Sequence, residues 1–221
     1  ILMLTPYLPW PLNSGGQIRT YNLLKNLAHK HEISLFSFIR DDDERKYIGK
    51  LKPYCRKIML FKRTQSPWAI RNILLAGLTP YPFLVCIYLS KAAKDALKQE
   101  LNHEKYDIIH AETFYVMPNI PATEIPTLLV EQTIEYLGYQ TYTDQTAMPL
   151  LRPLLYIDVI KLKFWEKLFW KKADHLVTMS AEDRDWIKRM VPQAQVSTVA
   201  NGIDVEYFKD TPVKRPRFPT V

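Results

Sequence analysis

The chain has 221 residues, 47% of them hydrophobic and 24% charged, a balance that supports a folded core and excludes a disordered or low-complexity polypeptide. Lysine and arginine outnumber aspartate and glutamate by 30 to 23, and the formal charge of +7 favours partners that carry phosphate. The cations are dispersed, with no zinc-finger spacing, RNP motif or helix-turn-helix pattern, which argues against nucleic acid; Cys55 and Cys86 lack CxxC spacing and read as reduced, buried thiols, not a disulfide framework.

Residues 1–5 are an apolar run that reads as a strand, so the natural start is expected upstream of Ile1. A loop with Pro6, Pro9 and Pro11 leads to Gly15-Gly16, after which Ile18, Tyr21, Leu24, Leu27 and Ala28 recur near the helical period. Residues 33–39 predict a second strand, 40–52 a charged surface helix and 57–61 a third strand. A helix over 67–76 leads through a proline-broken turn to a helix over 90–103, with Ser90 as its N-cap. Pro80 and Pro82 also interrupt the longest apolar stretch, 73–89, so no spanning helix is expected.

Residues 106–110 and 127–131 read as buried strands, followed by a long helix over 150–172. A strand over 176–179 runs into Ser180-x-x-Asp183, a capping box that opens a helix to Met190, and 196–199 closes the set. Strands alternating with helices predict an α/β fold: a doubly wound, mostly parallel, Rossmann-like sheet with helices on both faces. Ligands in such folds bind beyond the carboxyl ends of the strands, near the topological switch point.

Gly15 and Gly16 open the first helix after the first strand, where backbone can come close to an anion. His110 and Glu112 end one buried strand, Glu131 and Glu135 follow the next, and the four are expected to converge on substrate. His110 and Glu135 are candidates for a catalytic role, which the sequence leaves unassigned. Asp41 and Asp43 form a D-x-D pair able to hold a divalent cation, but acids at a helix start are favoured by the helix dipole, so no metal site is expected. The 150–172 segment interleaves Tyr156, Phe164, Trp165, Phe169 and Trp170 with Lys161, Lys163, Lys167, Lys171 and Lys172. Two readings stay open for it: burial against sheet and neighbouring helix, or contact with an anionic membrane or a lipid-linked acceptor.

Four segments in order resemble the retaining GT-B glycosyltransferases of group 1, or family 4, which include many bacterial polysaccharide and glycolipid sugar transferases. Residues 11–27 are similar to that family's proline-containing loop, G-G-x-x-R and following helix; 106–112 to its D-hydrophobic-hydrophobic-H strand end; 176–183 to its V-x-x-S-x-x-D segment. Val199-Ala200-Asn201-Gly202-Ile203-Asp204, continuing to Phe208, resembles its V-x-N-G-[VI]-D-x-x-x-F connector. The resemblance implies transfer of a sugar from a nucleotide diphosphate donor to a glycan or lipid-linked acceptor, with retention at the anomeric carbon.

It also implies roles for residues. Gly15 and Gly16 would approach the donor diphosphate, with Gly16 kept small for it; Arg19 would support that loop; His110, Glu112, Glu131 and Glu135 would face the acceptor. No metal or other cofactor is implied, the diphosphate being met by backbone N–H groups and basic side chains. Asn201, Gly202 and Asp204 would belong to an interdomain connector, giving an acceptor-side domain over 1–199 and a connector over 200–221 that leads to a nucleotide-sugar-binding domain outside this sequence. The part alone is expected to be inactive. Glu131-Gln132 stands where many relatives place a histidine, a departure from the family pattern. The implied compartment is the cytoplasm, including peripheral contact at the inner membrane face through residues 150–172. A non-catalytic Rossmann-like module binding a nucleotide or other anionic ligand is the alternative reading.

Overall fold

A computed structural model describes residues 1–145, 150–202 and 205. Its strands are β1 (Leu2–Thr5), β2 (Ser34–Ile39), β3 (Lys57–Lys62), β4 (Ile109–Glu112), β5 (Thr127–Glu131), β6 (His175–Thr178) and β7 (Val196–Thr198). They form one parallel sheet in the order β3-β2-β1-β4-β5-β6-β7. The helices are α1 (Gly15–Leu27), α2 (Ile48–Leu51), α3 (Ile70–Leu78), α4 (Phe83–Tyr88), α5 (Lys91–His103), α6 (Glu135–Gln145), α7 (Arg152–Lys172) and α8 (Ala181–Met190).

Strand alternation divides the core between two faces of this sheet. Met3, Leu35 and Ile39 point to one side and pack with Leu24 of α1 and Leu51 of α2. Leu2, Leu4, Phe36, Phe38, Ile109 and Leu129 point to the other, where Leu97 of α5, Leu162 and Trp170 of α7 and Ile187 of α8 cover them. The expected doubly wound α/β architecture is therefore the observed one. Both faces of β1 and β2 are buried, which is why β1 reads as an apolar run and why Ser34 and Ser37 of β2 are buried along with its apolar residues.

Several local expectations shift. The charged run after β2 is a 3₁₀ turn (Asp42–Tyr47), the four-residue α2 and a second 3₁₀ turn (Lys52–Tyr54). Short-range polar bonds explain the break: Asp41 Oδ1 accepts from Asp43 N at 3.0 Å, and Glu44 Oε1 accepts from Arg40 N at 2.8 Å. Pro53 then ends the segment, since it carries no N–H to continue a helix. β4 begins three residues later than the expected strand start because Tyr106 is used otherwise, its hydroxyl lying 2.6 Å from Glu100 Oε1 and 2.9 Å from Ser34 Oγ. Cys86 is buried as expected, whereas Cys55 is only half-buried.

Three elements had no counterpart in the sequence expectations: α4, α6 and a 3₁₀ turn over Phe114–Asn119. Asn119 at the end of that turn holds three backbone segments together. Its Nδ2 donates to Tyr88 O at 2.9 Å and Val116 O at 3.1 Å, and its Oδ1 accepts from Ser90 N at 3.0 Å. Among the described residues no helix is long and apolar enough to cross a membrane.

Asn119→Ala leaves these buried backbone groups unpaired, and we expect a loss of about 3 kcal/mol of stability. Urea unfolding should show a lower midpoint with an unchanged slope; an unchanged midpoint would mean that the three segments are held by other contacts.

Candidate functional site

β1 lies between β2 and β4, so the winding direction reverses there, and in folds of this kind the place for a ligand is the opening beyond the carboxyl ends of the strands at that point. The chain enters it from β1 through a loop containing a cis Trp10–Pro11 bond and then starts α1. Ser14 caps the helix, its Oγ accepting from Gln17 N at 3.3 Å, while Gln17 Nε2 returns to Leu8 O at 3.1 Å. The two glycines that follow have different surroundings. A Cβ on Gly15 would meet no atom within 4 Å; a Cβ on Gly16 would lie 2.1 Å from Tyr7 Oη and 2.8 Å from Gln132 Oε1. The need for a small residue at 16 thus has a cause within the chain itself, whereas position 15 faces open space.

Tyr7 and Gln132 belong to a polar chain that runs into the sheet. Gln132 Nε2 is 3.0 Å from Tyr7 Oη and donates to Glu112 Oε2 at 2.9 Å, and His110 Nε2 is 3.0 Å from Glu112 Oε1. His110 and Glu112 are two residues apart on β4 and so share a face; both are buried, Glu112 completely. Burial pushes the Glu112 carboxyl up, but the bonds from His110 and Gln132 and the nearby Arg19 guanidinium outweigh it, leaving its pKa below the ordinary value. The buried carboxylate is ionised and orients His110 and Gln132. Thr113 follows it at φ 76°, a region β-branched residues avoid, so the backbone turns away from β4 under strain.

Arg19, on the second turn of α1, reaches the segment after β7: its Nη1 donates to Asn201 Oδ1 at 3.1 Å and to Val199 O at 3.4 Å. It therefore links α1 to the start of the expected connector. Gly202 is exposed there, a Cβ at that position would meet no atom within 4 Å, and Asp204 lies outside the described residues.

Glu131 and Glu135 do not join the His110–Glu112 pair. Glu112 is in register with Val130, so the next residue, Glu131, points to the opposite face of the sheet. There its Oε1 accepts from Trp170 Nε1 at 2.9 Å, and its Oε2 makes no hydrogen bond among the described residues. Glu166 of α7 lies in the same layer and accepts from the first amides of α6, Glu135 N at 2.8 Å and Tyr136 N at 3.1 Å. Burial, then the charge of Glu166, drives the Glu131 pKa well up; burial likewise pushes Glu166 to about 8 against those two backbone bonds. We place the proton on Glu131, since Glu166 has two N–H donors to hold its charge. Glu135, half-buried at the start of α6, is raised by burial, with a bond from Thr133 in opposition.

Asp41 and Asp43 are engaged at the turn start described above, and the intervening Asp42 pairs with Arg45 and Lys62 at 3.0 and 2.9 Å. Tyr7 and Glu166 were not singled out in the sequence, and Gln132 only as part of the departure from the family pattern at 131–132. Tyr7 and Gln132 carry a positional signal, each lying just past a strand end; Glu166 carries another, a lone carboxylate among apolar positions 162, 169 and 170 of one helix face.

The family model for Glycosyltransferase Family 4 matches residues 13–207. No curated protein matches the chain. Among solved structures, similarity is found to Arabidopsis thaliana UGT89C1 complexed with UDP, at 10% identity and TM-score 0.49 over 92% of this chain and 50% of that one. It is also found to a UGT transferase from Siraitia grosvenorii in complex with UDP, at 7% identity and TM-score 0.46 over 91% and 50%. A UDP-glucose: anthocyanidin 3-O-glucosyltransferase in complex with UDP gives 11% identity and TM-score 0.45 over 90% and 52%. The chain spans about half the length of these structures.

Gly16→Ala should displace Tyr7 and Gln132 and cost about 1–3 kcal/mol. Tyr7→Phe removes the atom that a Cβ would strike first, so the double variant should regain part of that loss in urea unfolding; strict additivity of the two losses would show that they do not meet. The second expectation concerns pH. Glu131 and Glu166 have folded pKa values above the ordinary 4.5, so the native state holds more protons than the unfolded state from about pH 4.5 to about 8, and stability falls as pH rises through that window. Glu131→Gln, neutral at every pH, should match the parent near pH 5 and lose less by pH 8. Parallel pH profiles would place the titration elsewhere.

Proposed function

This chain belongs to Glycosyltransferase Family 4, a GT-B family, and we propose that it is the acceptor-side domain of a retaining transferase of the bacterial polysaccharide or glycolipid type. The sugar moves from a nucleotide diphosphate donor to a glycan or lipid-linked acceptor. The donor's bond between anomeric carbon and diphosphate breaks, the acceptor oxygen bonds to that carbon on the same face, and the acceptor proton leaves with the diphosphate.

The observation that carries this reading is the contrast between the two glycines. Gly16 is seated against Tyr7 and Gln132, which fixes the start of α1, while Gly15 leaves its side toward the opening empty. A diphosphate above Gly15 would meet the unpaired first amides and positive end of α1, so negative charge growing on the leaving group is stabilised there without a metal. His110 and Glu112 act behind this surface as positioning residues, since both are buried. Arg19 ties the loop-bearing helix to the connector.

For the acceptor, Glu135 is the better-placed carboxylate, at the start of α6 beyond β5. A cavity of about 490 Å³ lies beside it between α6 and α8, lined by Ile134, Leu137 and Trp186 together with Glu182, Asp183, Asp185 and Arg189, whose guanidinium lies 5.0 Å from the Trp186 ring centre. Aromatic and apolar walls with carboxylates suit the C–H face and hydroxyls of a sugar. Peripheral contact at the inner membrane face, through 150–172, completes the reading for a lipid-linked acceptor.

The complete gene product should transfer sugar from one of a panel of UDP-, GDP- and ADP-sugars to a membrane extract. Gly15→Ala should lower that rate at least about tenfold, in line with losing one well-placed transition-state interaction, while leaving the urea midpoint unchanged. Full turnover in Gly15→Ala removes the diphosphate from α1, and absence of transfer with every donor leaves a non-catalytic binding module.

A further inference from the structure

α7 is apolar on two opposite faces. Val159, Leu162, Phe169 and Trp170 are buried against the sheet layer, whereas Leu154, Ile157, Ile160, Phe164 and Leu168 form a second stripe open to solvent. Positions 160, 164 and 168 repeat at one turn and lie about 200° around the helix from 162, 166 and 170. The stripe is well exposed, Ile160 at 67% and Phe164 at 62%. A second helix presents the same chemistry. Ile70, Ile73, Leu74 and Leu78 are exposed along one side of α3, Leu78 at 83%.

The two helices are fastened together. Lys161 Nζ donates to Ala76 O at 2.6 Å and Thr79 O at 2.8 Å, capping the C-terminus of α3, and Trp165 Nε1 donates to Pro80 O at 2.8 Å. The end of α3 is thus held against α7 one turn from Ile157 and Phe164. Exposed apolar area of this extent marks an interaction surface.

Next to it lies a cavity of about 520 Å³ whose chemistry is different. Tyr81 and Trp165 stack at 4.7 Å on one side, Ile120 lines the wall, and Lys94, Lys98 and Lys172 surround it. Lys94 and Lys98 are one turn apart on α5, and Lys172 is one turn beyond Leu168 on α7. None of the three lysines makes an ion pair among the described residues. Three cations without an ion pair among the described residues, around an aromatic-walled recess beside an apolar stripe, fit a ligand with a phosphate at one end and hydrocarbon at the other.

We propose that this recess takes the phosphate of an anionic lipid headgroup while the stripes of α3 and α7 rest in the acyl boundary of the bilayer. The proposal rests on the membrane-contact part of the functional reading and deepens it, naming the pocket that takes the phosphate and a second docking helix. Apolar anchoring and cationic attraction act together here, as stable peripheral binding requires. A second copy of the chain would cover the stripes equally well but would bring a like charge, +7 against +7, to the same face.

Co-sedimentation of the purified protein with phosphatidylcholine vesicles, with and without about 30% phosphatidylglycerol, tests this. Binding should require the anionic lipid and should fall sharply in Phe164→Ser, an exposed substitution. Replacing Lys94, Lys98 and Lys172 by glutamine should lower partitioning about a hundredfold, from roughly fivefold for each cation at the surface. The same change at Lys30, Lys105 and Lys188, which do not line the recess, keeps the net charge matched and should cost far less. Equal losses in the two triple variants overturn the pocket. No vesicle binding, or a concentration-dependent dimer in its place, overturns the docking surface. Saturable quenching of tryptophan fluorescence by millimolar inorganic phosphate without vesicles, lost in the first triple variant, assigns the recess to a soluble phosphate and overturns the lipid. Transfer to a soluble acceptor is scored separately: vesicle binding without transfer removes only the transferase reading, and transfer without vesicle binding removes only this one.

Discussion

The chain winds from β1 through β2 to β3 in one direction and then returns past β1 to β4 and on to β7 in the other, and crossovers in a parallel sheet are almost always right-handed. Helices must therefore leave on opposite faces, and the layer is open where the two directions part. This constraint places Tyr7, Gln132 and Glu112 within one hydrogen-bonded group, with Gly16 packed against it, although they are up to 125 residues apart in the chain. It also explains why α1 can present its first amides to a ligand: its N-terminus stands at the opening, and its body is pinned to β1 and β2 through Leu24 and Met3.

The same sheet gives two carboxylates opposite states. Glu112 faces the side of α1, where three polar groups surround it, and stays charged; that charge fixes His110 and Gln132 behind the loop. Glu131, in the neighbouring strand and one residue past the register partner of Glu112, faces α7, where it meets Trp170 and the second carboxylate of Glu166. Two ionised groups there would repel at low dielectric, so one holds a proton. The benefit of Glu166 is local: its carboxylate supplies acceptors to two helix-start amides that would otherwise be buried without partners, and so secures α6 beside the opening.

α7 connects this interior to the outside surface. Its inner face carries Glu166 and Trp170 under the site, and its outer face carries the exposed stripe and Lys172 beside the basic recess. A helix that is apolar on both sides reads in sequence as weakly amphipathic, and the two faces become separable only when burial is known. Contact of the outer face with lipid would bring a lipid-linked acceptor to the same domain whose strand ends we propose for the transfer site.

The sequence by itself determined the α/β class, the alternation of strands and helices and the sites of the first helix start and the Ser180 capping box, because these depend on local periodicity and capping chemistry. Motif order along the chain was enough to name the family whose model matches residues 13–207. It did not reveal α6, whose apolar residues lack a helical period and whose start is held by Glu166 from another helix. Nor did it separate His110 and Glu112 from Glu131: all three end neighbouring strands, and only the β4–β5 register shows that they occupy opposite faces. Tertiary structure alone decided that Gly16 is small because Tyr7 fills its space, and that one of the two apolar faces of α7 is exposed. Both facts concern which atoms occupy a volume, and a one-dimensional pattern carries no record of volume until long-range pairing has been formed.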